Sequence, residues 1–259
     1  CIWGVSDRSP SLSRWLLRTV PDDSAIQKRG PSLANTPRRV RGRIDIPPVV
    51  VLGLGRFGAS LAEELTCHGV EVLGMDADAR LVQECSSFLT DAAIGDTTDR
   101  ETLVQFGVHE VERVVLGIGS DLESSVLTAS NLVDLGVPSI WAKADSDAHA
   151  KILTQVGVHQ VVRPERDTGR RVAHLLGGRF KDFAQFDEDY GMIKLAPPDV
   201  IVGVSVDVEK LWYRFGVRVV SVRRSDGTWA PFHPDRVLCR TDQVIVAGDP
   251  EKLERFVRR

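Results

Sequence analysis

Residues 49–58 read VVVLGLGRFG, an apolar β-branched run leading into Gly53, Gly55 and Gly58, with Arg56 and Phe57 between the last two. G-x-G-x-x-G between a strand and a helix has a mechanical meaning. The first glycine permits a tight turn, the second lets a pyrophosphate approach the backbone, and the third lets the helix pack on the strand. The free N–H groups and the dipole of that helix then face the phosphates. Asp76 closes the next strand, where a carboxylate accepts hydrogen bonds from ribose hydroxyls and disfavours a 2′-phosphate. Asp78, two residues on, suits a helix cap. Arg56 is the unusual member. A guanidinium in a first helical turn opposes the dipole unless an anion faces it. Its fork fits phosphate oxygens, and a terminal di- or triphosphate matches it best. The chemistry implied is the binding of an adenine nucleotide.

These groups need a sheet edge to stand on, and the pattern supplies one. Apolar runs at 49–52, 70–76, 92–94, 111–117, 139–143 and 160–162 read as strands. Helical periodicity fills the intervals at 59–68, 79–87, 100–106, 122–135 and 148–155. Strict alternation implies an α/β fold, a Rossmann-like doubly wound parallel sheet. LVQFGVHEV (103–111) and LTQVGVHQV (153–161) echo one another as helix-to-strand connections closed by Gly107 and Gly157. A helix over 168–186 leads away from the sheet. Beyond 190 the texture changes. Strands at 192–195, 217–222 and 243–247, helices at 208–215 and 251–258, and the turn signal SDGTW at 225–229 describe a small α+β lobe. Such a lobe suits an effector pocket or a dimerisation surface. The expected organisation is therefore a largely irregular tail or linker at 1–46 with one short helix at 11–20, a nucleotide-binding domain at 47–180, a connection at 181–189 and a C-terminal domain at 190–259.

Bulk properties narrow the class. A formal charge of −3, with 42% hydrophobic and 27% charged residues, gives no global reason to expect nucleic acid or an anionic membrane as partner. The basic run Arg38, Arg39, Arg41 and Arg43 reads as a solvated linker. Four cysteines, Cys1, Cys67, Cys85 and Cys239, lack CxxC spacing, as expected of reduced cytosolic thiols. No stretch approaches the roughly 18 apolar residues of a membrane span. There is no signal-peptide pattern, and a start at Cys1 leaves room for an upstream segment.

VVLGLGRFGASLAEEL, VLGMDAD, AAIGDTTD, LGIGSDLESSVLTA, PSIWAKADSDAHAKIL and GVHQVVRPERDTGRRVA resemble, in order, the blocks of the RCK (regulator of K⁺ conductance) domain. The likeness is to KtrA/TrkA-type cytosolic subunits of bacterial potassium uptake systems, close over 48–180 and looser over 190–259. It implies an N-lobe that binds ATP/ADP, or alternatively NAD(H), at the C-terminal edge of its sheet. It implies N-lobes that pair into dimers and a ring, commonly octameric. That ring docks under a membrane-embedded KtrB/TrkH-like K⁺ translocating subunit, so the protein is cytoplasmic and peripheral to the inner face of the membrane.

Matching motif to motif, the resemblance carries Gly53, Gly55, Arg56, Phe57 and Gly58 to the phosphates and Asp76, Ala77 and Asp78 to the ribose. Asp96 and Thr97, with Ile118, Gly119 and Ser120, go to the border of the adenosine. Lys143, Ala144, Asp145 and His149 go to the phosphate side, and Glu165 to a Mg²⁺ or Ca²⁺ ion there. Each has a plainer reading: Lys143 as a strand-end lysine, Glu165 as a helix cap, His149 as a partly buried structural histidine. Asp96 fits either equally well. Some relatives bind cyclic di-AMP in the C-lobe, but VEKLWYRFGVRVV does not match that pocket.

The implied role is regulatory and not enzymatic. No Walker lysine loop is present, nor a base poised for an attacking water. The rival readings are an NAD(H)-sensing regulator of the same kind and an NAD-dependent dehydrogenase. For the latter the C-terminal part offers only His233, in PFHPD, as an acid/base group.

Overall fold

A computed structural model of the chain describes residues 44–177, 179–223 and 226–258. The helix expected at 11–20, the basic run at 38–43 and nearly all of the 1–46 tail lie outside those residues. The described chain falls into two compact units, the first closing at Pro164 and the second starting at Glu165.

The first unit alternates strand and helix as the sequence pattern requires: β1 (Val49–Leu52), α1 (Arg56–Cys67), β2 (Val72–Asp76), α2 (Ala79–Cys85), β3 (Asp91–Ile94), α3 (Arg100–Gln105), β4 (Arg113–Leu116), α4 (Leu122–Asp134), β5 (Ser139–Lys143), α5 (Asp147–Val156) and β6 (Gln160–Val162). Every pairing is parallel, in the order β3-β2-β1-β4-β5-β6. That is the doubly wound order, whose reversal point lies between β1 and β4. β1 is buried throughout because helices cover both faces of the sheet. Its side chains alternate between two cores, Val50 and Leu52 joining one cluster and Val49 and Val51 the other. Gly107 and Gly157 take the left-handed conformation expected of closing glycines.

The second unit holds α6 (Pro164–Leu176), β7 (Asp182–Asp187), β8 (Tyr190–Leu195), α7 (Val208–Phe215), β9 (Val217–Arg223), β10 (Trp229–Pro231), β11 (Gln243–Gly248) and α8 (Pro250–Val257). Its strands form one antiparallel sheet ordered β10-β9-β11-β8-β7. Here the sequence reading needs a correction. The helix expected over 168–186 ends at Leu176, and part of the 181–189 connection is strand β7. The apolar spacing of Leu176, Phe180 and Phe183 imitates a helical stripe. Phe183 is instead the inward residue of a hairpin with β8, pairing with Ile193. Cross-strand hydrogen bonding and burial of that ring decide against the helix.

Candidate functional site

Most of the candidate residues sit where the strands of the first unit end. Gly53 follows β1 and is tied on both sides. Its N–H donates to the Met75 carbonyl at 2.8 Å, and the Gly117 N–H donates to the Leu52 carbonyl at 2.7 Å. Gly53 adopts φ +91°, which a side chain would strain. A Cβ at Gly58 would overlap the Gly53 carbonyl oxygen, and one at Gly117 would lie 2.7 Å from that same atom. Gly55 is different. Its φ of −63° and ψ of −175° suit any residue, and a Cβ there would meet nothing within 4 Å. Packing and backbone strain therefore account for Gly53 and Gly58 but not for Gly55. The space over Gly55 is where an incoming group can approach the backbone.

Helix α1 begins beside that space. Its N-cap, Gly55, offers no side-chain acceptor, and its first turn has no acidic residue. The helices α2, α3, α4 and α5 are each capped by a side chain, from Asp78, Asp99, Asp121 and Ser146 respectively. The N–H groups that those helices satisfy internally are left toward the mouth in α1, with the exposed Arg56 as its first residue. An anion is what both features fit.

Asp76 sits at the end of β2 and shapes the loop. One carboxylate oxygen accepts from the Leu54 N–H at 2.7 Å and the other from the Asp78 N–H at 2.8 Å. Each oxygen keeps a second lone-pair site for a hydroxyl donor. Asp78 is the α2 cap, as its position suggests. It accepts from the Arg80 N–H at 2.9 Å and pairs with the Arg80 guanidinium at 2.8 Å, which holds its carboxyl below the usual carboxylate range. Ala77, between them, is exposed.

Across the reversal point, Ile118 packs against Gly53, and Gly119 lies against Asp145, whose carboxyl carbon would be 2.8 Å from a Cβ there. Asp145 pairs with the Lys143 ammonium at 2.9 Å. Ala144 is buried and Ser120 exposed. His149 is 4% exposed, with both ring nitrogens engaged. Its Nδ1 accepts from the Asp145 N–H at 3.4 Å, so Nε2 carries the proton and donates to the Ser125 hydroxyl at 3.1 Å. Burial lowers its pKa, with Asp145 opposing and Lys143 adding to the shift. The imidazole is thus fully engaged within the fold, by Asp145 on one side and Ser125 on the other.

The side chains of Asp96 and Thr97 have partners within the fold. The Asp96 carboxylate accepts from the Thr98 N–H and hydroxyl at 2.9 and 2.7 Å, closing its own turn. Thr97 is buried, its hydroxyl 3.1 Å from that of Thr128. Glu165 stands in the first turn of α6, in the second unit. Among the described residues no group of three or more His, Cys, Asp or Glu gathers for a metal.

Residues 49–164 match the TrkA-N domain family, a stretch that ends where the first compact unit closes. Ktr system potassium uptake protein C of Bacillus subtilis (strain 168) is 31% identical over 210 residues, covering 81% of this chain and 95% of that protein. The chain belongs to the Ktr/TrkA branch of the RCK family. A second Ktr/TrkA relative, Ktr system potassium uptake protein A of Vibrio alginolyticus, is 29% identical over 204 residues, 78% of this chain and 93% of that protein. Among solved structures the GsuK RCK domain shares the fold, with a TM-score of 0.57 at 16% identity, over 93% of this chain and 50% of that chain. The GsuK channel bound to NAD does likewise, with a TM-score of 0.56 at 16% identity, over 84% of this chain and 41% of that chain.

In this RCK chain three kinds of position around the candidate site escaped sequence reasoning. Leu54 contributes only its N–H, to Asp76, which no side-chain pattern reveals. Gly117 closes on the Gly53 carbonyl, and the second G-x-G, Gly117-Ile118-Gly119, was the available signal. Thr128 and Asn131 of α4 bond to the loop after β3 and Ser125 to His149 of α5, and their recurrence every third residue marked a polar stripe inside an otherwise apolar face.

Proposed function

We propose that this chain is a cytosolic regulatory subunit of potassium transport that binds ATP and ADP at the end of β1 and changes the conformation of a ring. The observation that carries the ligand assignment is Gly55. It is a glycine that neither backbone strain nor packing requires, opening onto the side-chain-free start of a helix whose first residue is an arginine. Membership of the Ktr/TrkA branch supports the transport role.

In this reading the α1 N–H groups and Arg56 hold phosphate oxygens, and the free lone pairs of Asp76 accept from the ribose. Lys143 adds positive charge on the phosphate side. Regulation needs differential binding, since a ligand equally tight in both states shifts nothing. Moving a two-state system from 1:99 to 99:1 takes a preference of about 10⁴. Across eight sites of an octameric ring, roughly threefold per site multiplies to nearly that. A γ-phosphate on Arg56 is enough for such a difference, because a hydrogen bond to a charged group contributes about 1.5–3 kcal/mol. The partner is a membrane-embedded K⁺ translocating subunit, and the work is done by binding and not by turnover.

Calorimetric titration of the full chain with ADP, ATP, NADH and adenosine tests this, with Arg56→Gln alongside. The expected result is ADP and ATP binding weakened about tenfold or more by the substitution, with adenosine unaffected and NADH weaker than either nucleotide. Unchanged ADP and ATP affinity in Arg56→Gln overturns the phosphate role, and tighter NADH binding overturns the choice of ligand. Turnover of a hydroxy acid with NAD would overturn the regulatory reading altogether.

A further inference from the structure

One face of α4 is polar and buried, and it reaches groups from both sides of the site. Ser125 and Thr128 are fully buried, and Asn131 follows one turn further on. Thr128 meets the hydroxyl of Thr97 at 3.1 Å. The Asn131 side-chain amide donates to the Thr98 carbonyl at 2.8 Å. Both partners lie in the loop after β3, which also carries Asp96. Ser125 accepts from His149 at 3.1 Å, and His149 in turn accepts the Asp145 N–H at 3.4 Å. Asp145 holds Lys143 at 2.9 Å and lies against Gly119. The first residue of α4 follows Gly119, Ser120 and the capping Asp121 in the chain.

Packing alone calls for no hydroxyl at these positions, since valine matches threonine in shape and alanine lacks only serine's oxygen, neither with a desolvation penalty. They are satisfied in pairs, which makes each loop's position depend on the helix.

Building on the nucleotide reading above, we infer that Ser125, Thr128, Asn131 and His149 are positioning residues. Through them α4 sets the two ends of the ligand site separately. Thr128 and Asn131 fix the loop that borders the adenosine; Ser125 and His149 fix Asp145 and, through it, the Lys143 ammonium on the phosphate side. The consequence is a division of labour along a single helix. Disturbing the first pair changes affinity for every adenine compound alike. Disturbing the second changes how well the site tells a triphosphate from a diphosphate, because what is displaced is the charged Asp145–Lys143 pair on the phosphate side.

The test is calorimetry on the full chain with adenosine, ADP and ATP, using Thr128→Val, Asn131→Ala, Ser125→Ala and the conservative Thr128→Ser. Thr128→Val and Asn131→Ala are expected to weaken all three ligands by a common factor of about fivefold, the worth of one buried hydrogen bond. Thr128→Ser is expected to restore wild-type affinity. Ser125→Ala is expected to leave adenosine unchanged and to alter the ATP-to-ADP affinity ratio by about threefold or more, a split that simple loss of stability does not produce. Circular-dichroism melts of each variant establish that it is folded at the titration temperature. Wild-type binding with unchanged ligand profiles in Thr128→Val and Ser125→Ala overturns this inference alone. A wild-type chain that binds none of the three overturns the nucleotide reading and this inference with it.

Discussion

Replacing Gly55 by alanine separates what the fold needs from what a ligand needs. The new Cβ meets no atom within 4 Å, and the backbone at −63°, −175° is one alanine adopts freely. Two small terms act on stability. Restricting the unfolded chain stabilises by about 0.4–1 kcal/mol. Alanine is a poorer N-cap than glycine, which costs about 0.5–1 kcal/mol. They offset, so the melting temperature should stay within about 2 °C of the parent, taking about 2–4 °C per kcal/mol for a chain of this size. The ligand sees a different surface. A methyl group over the helix start pushes phosphate oxygens away from the backbone N–H groups. Losing one charge-assisted hydrogen bond of about 1.5–3 kcal/mol weakens ADP roughly tenfold to 150-fold. Gly58→Ala is the companion, because its Cβ overlaps the Gly53 carbonyl. Overpacking of that kind costs about 1–3 kcal/mol, so its melting temperature should fall by several degrees. Thermal melts without nucleotide and calorimetry with ADP read out both. Equal melting temperatures for the two variants, or undiminished ADP affinity in Gly55→Ala, would refute the reasoning.

Acid should unfold the protein in two stages. His149 has a lowered pKa in the folded state, so below its unfolded value of about 6.5 the unfolded chain takes up the extra proton. Stability therefore declines as pH falls from there and levels off past the folded pKa; melts from pH 7.5 to 5 should show this slope, and His149→Gln should flatten it. Asp78, Asp99, Asp121 and Asp182 all have depressed folded pKa values, set mainly by side-chain hydrogen bonds from Arg80, Thr102, Ser124 and Arg171. Their contribution is present above about pH 4 and lost as pH falls through the folded values, a second decline visible in melts from pH 5 to 2.5. Among thiols, Cys239 is exposed whereas Cys85 is buried, with its pKa raised by desolvation first and by Glu84, Asp76 and Glu63 after it. Labelling at pH 8 followed by peptide mass mapping should modify Cys239 rapidly and Cys85 only after denaturation. Phe256 is fully buried in the second unit's core, so Phe256→Ala should destabilise that unit by about 3–5 kcal/mol while ADP titration of the folded protein stays at parental affinity.

The first unit was legible because its signals are local. Four buried residues of β1, a glycine turn and a helical period lie next to one another, and parallel pairing follows from alternation. Asp76 was legible because it ends a strand. Its bond to the Leu54 N–H was not, since a backbone donor leaves no mark on composition. β7 was misread because Leu176, Phe180 and Phe183 keep a helix-like spacing, while its true partner, β8, is recognised only once the hairpin forms. The polar residues of α4 were hidden for a similar reason: serine, threonine and asparagine in a helix usually face water, and only the tertiary fold turns these three inward. The Thr97 hydroxyl, matched by motif to a ligand border, faces that helix.

Three glycines share a single oxygen. The Gly53 carbonyl oxygen occupies the space a Cβ would need at both Gly58 and Gly117, one in the helix after β1 and one beyond β4. Those two positions are consequently not free to vary one at a time. In a library randomised at 53, 58 and 117, survivors should retain hydrogen side chains at all three, while 55, 56 and 57 drift wherever selection is for folding alone and freeze once selection is for ligand.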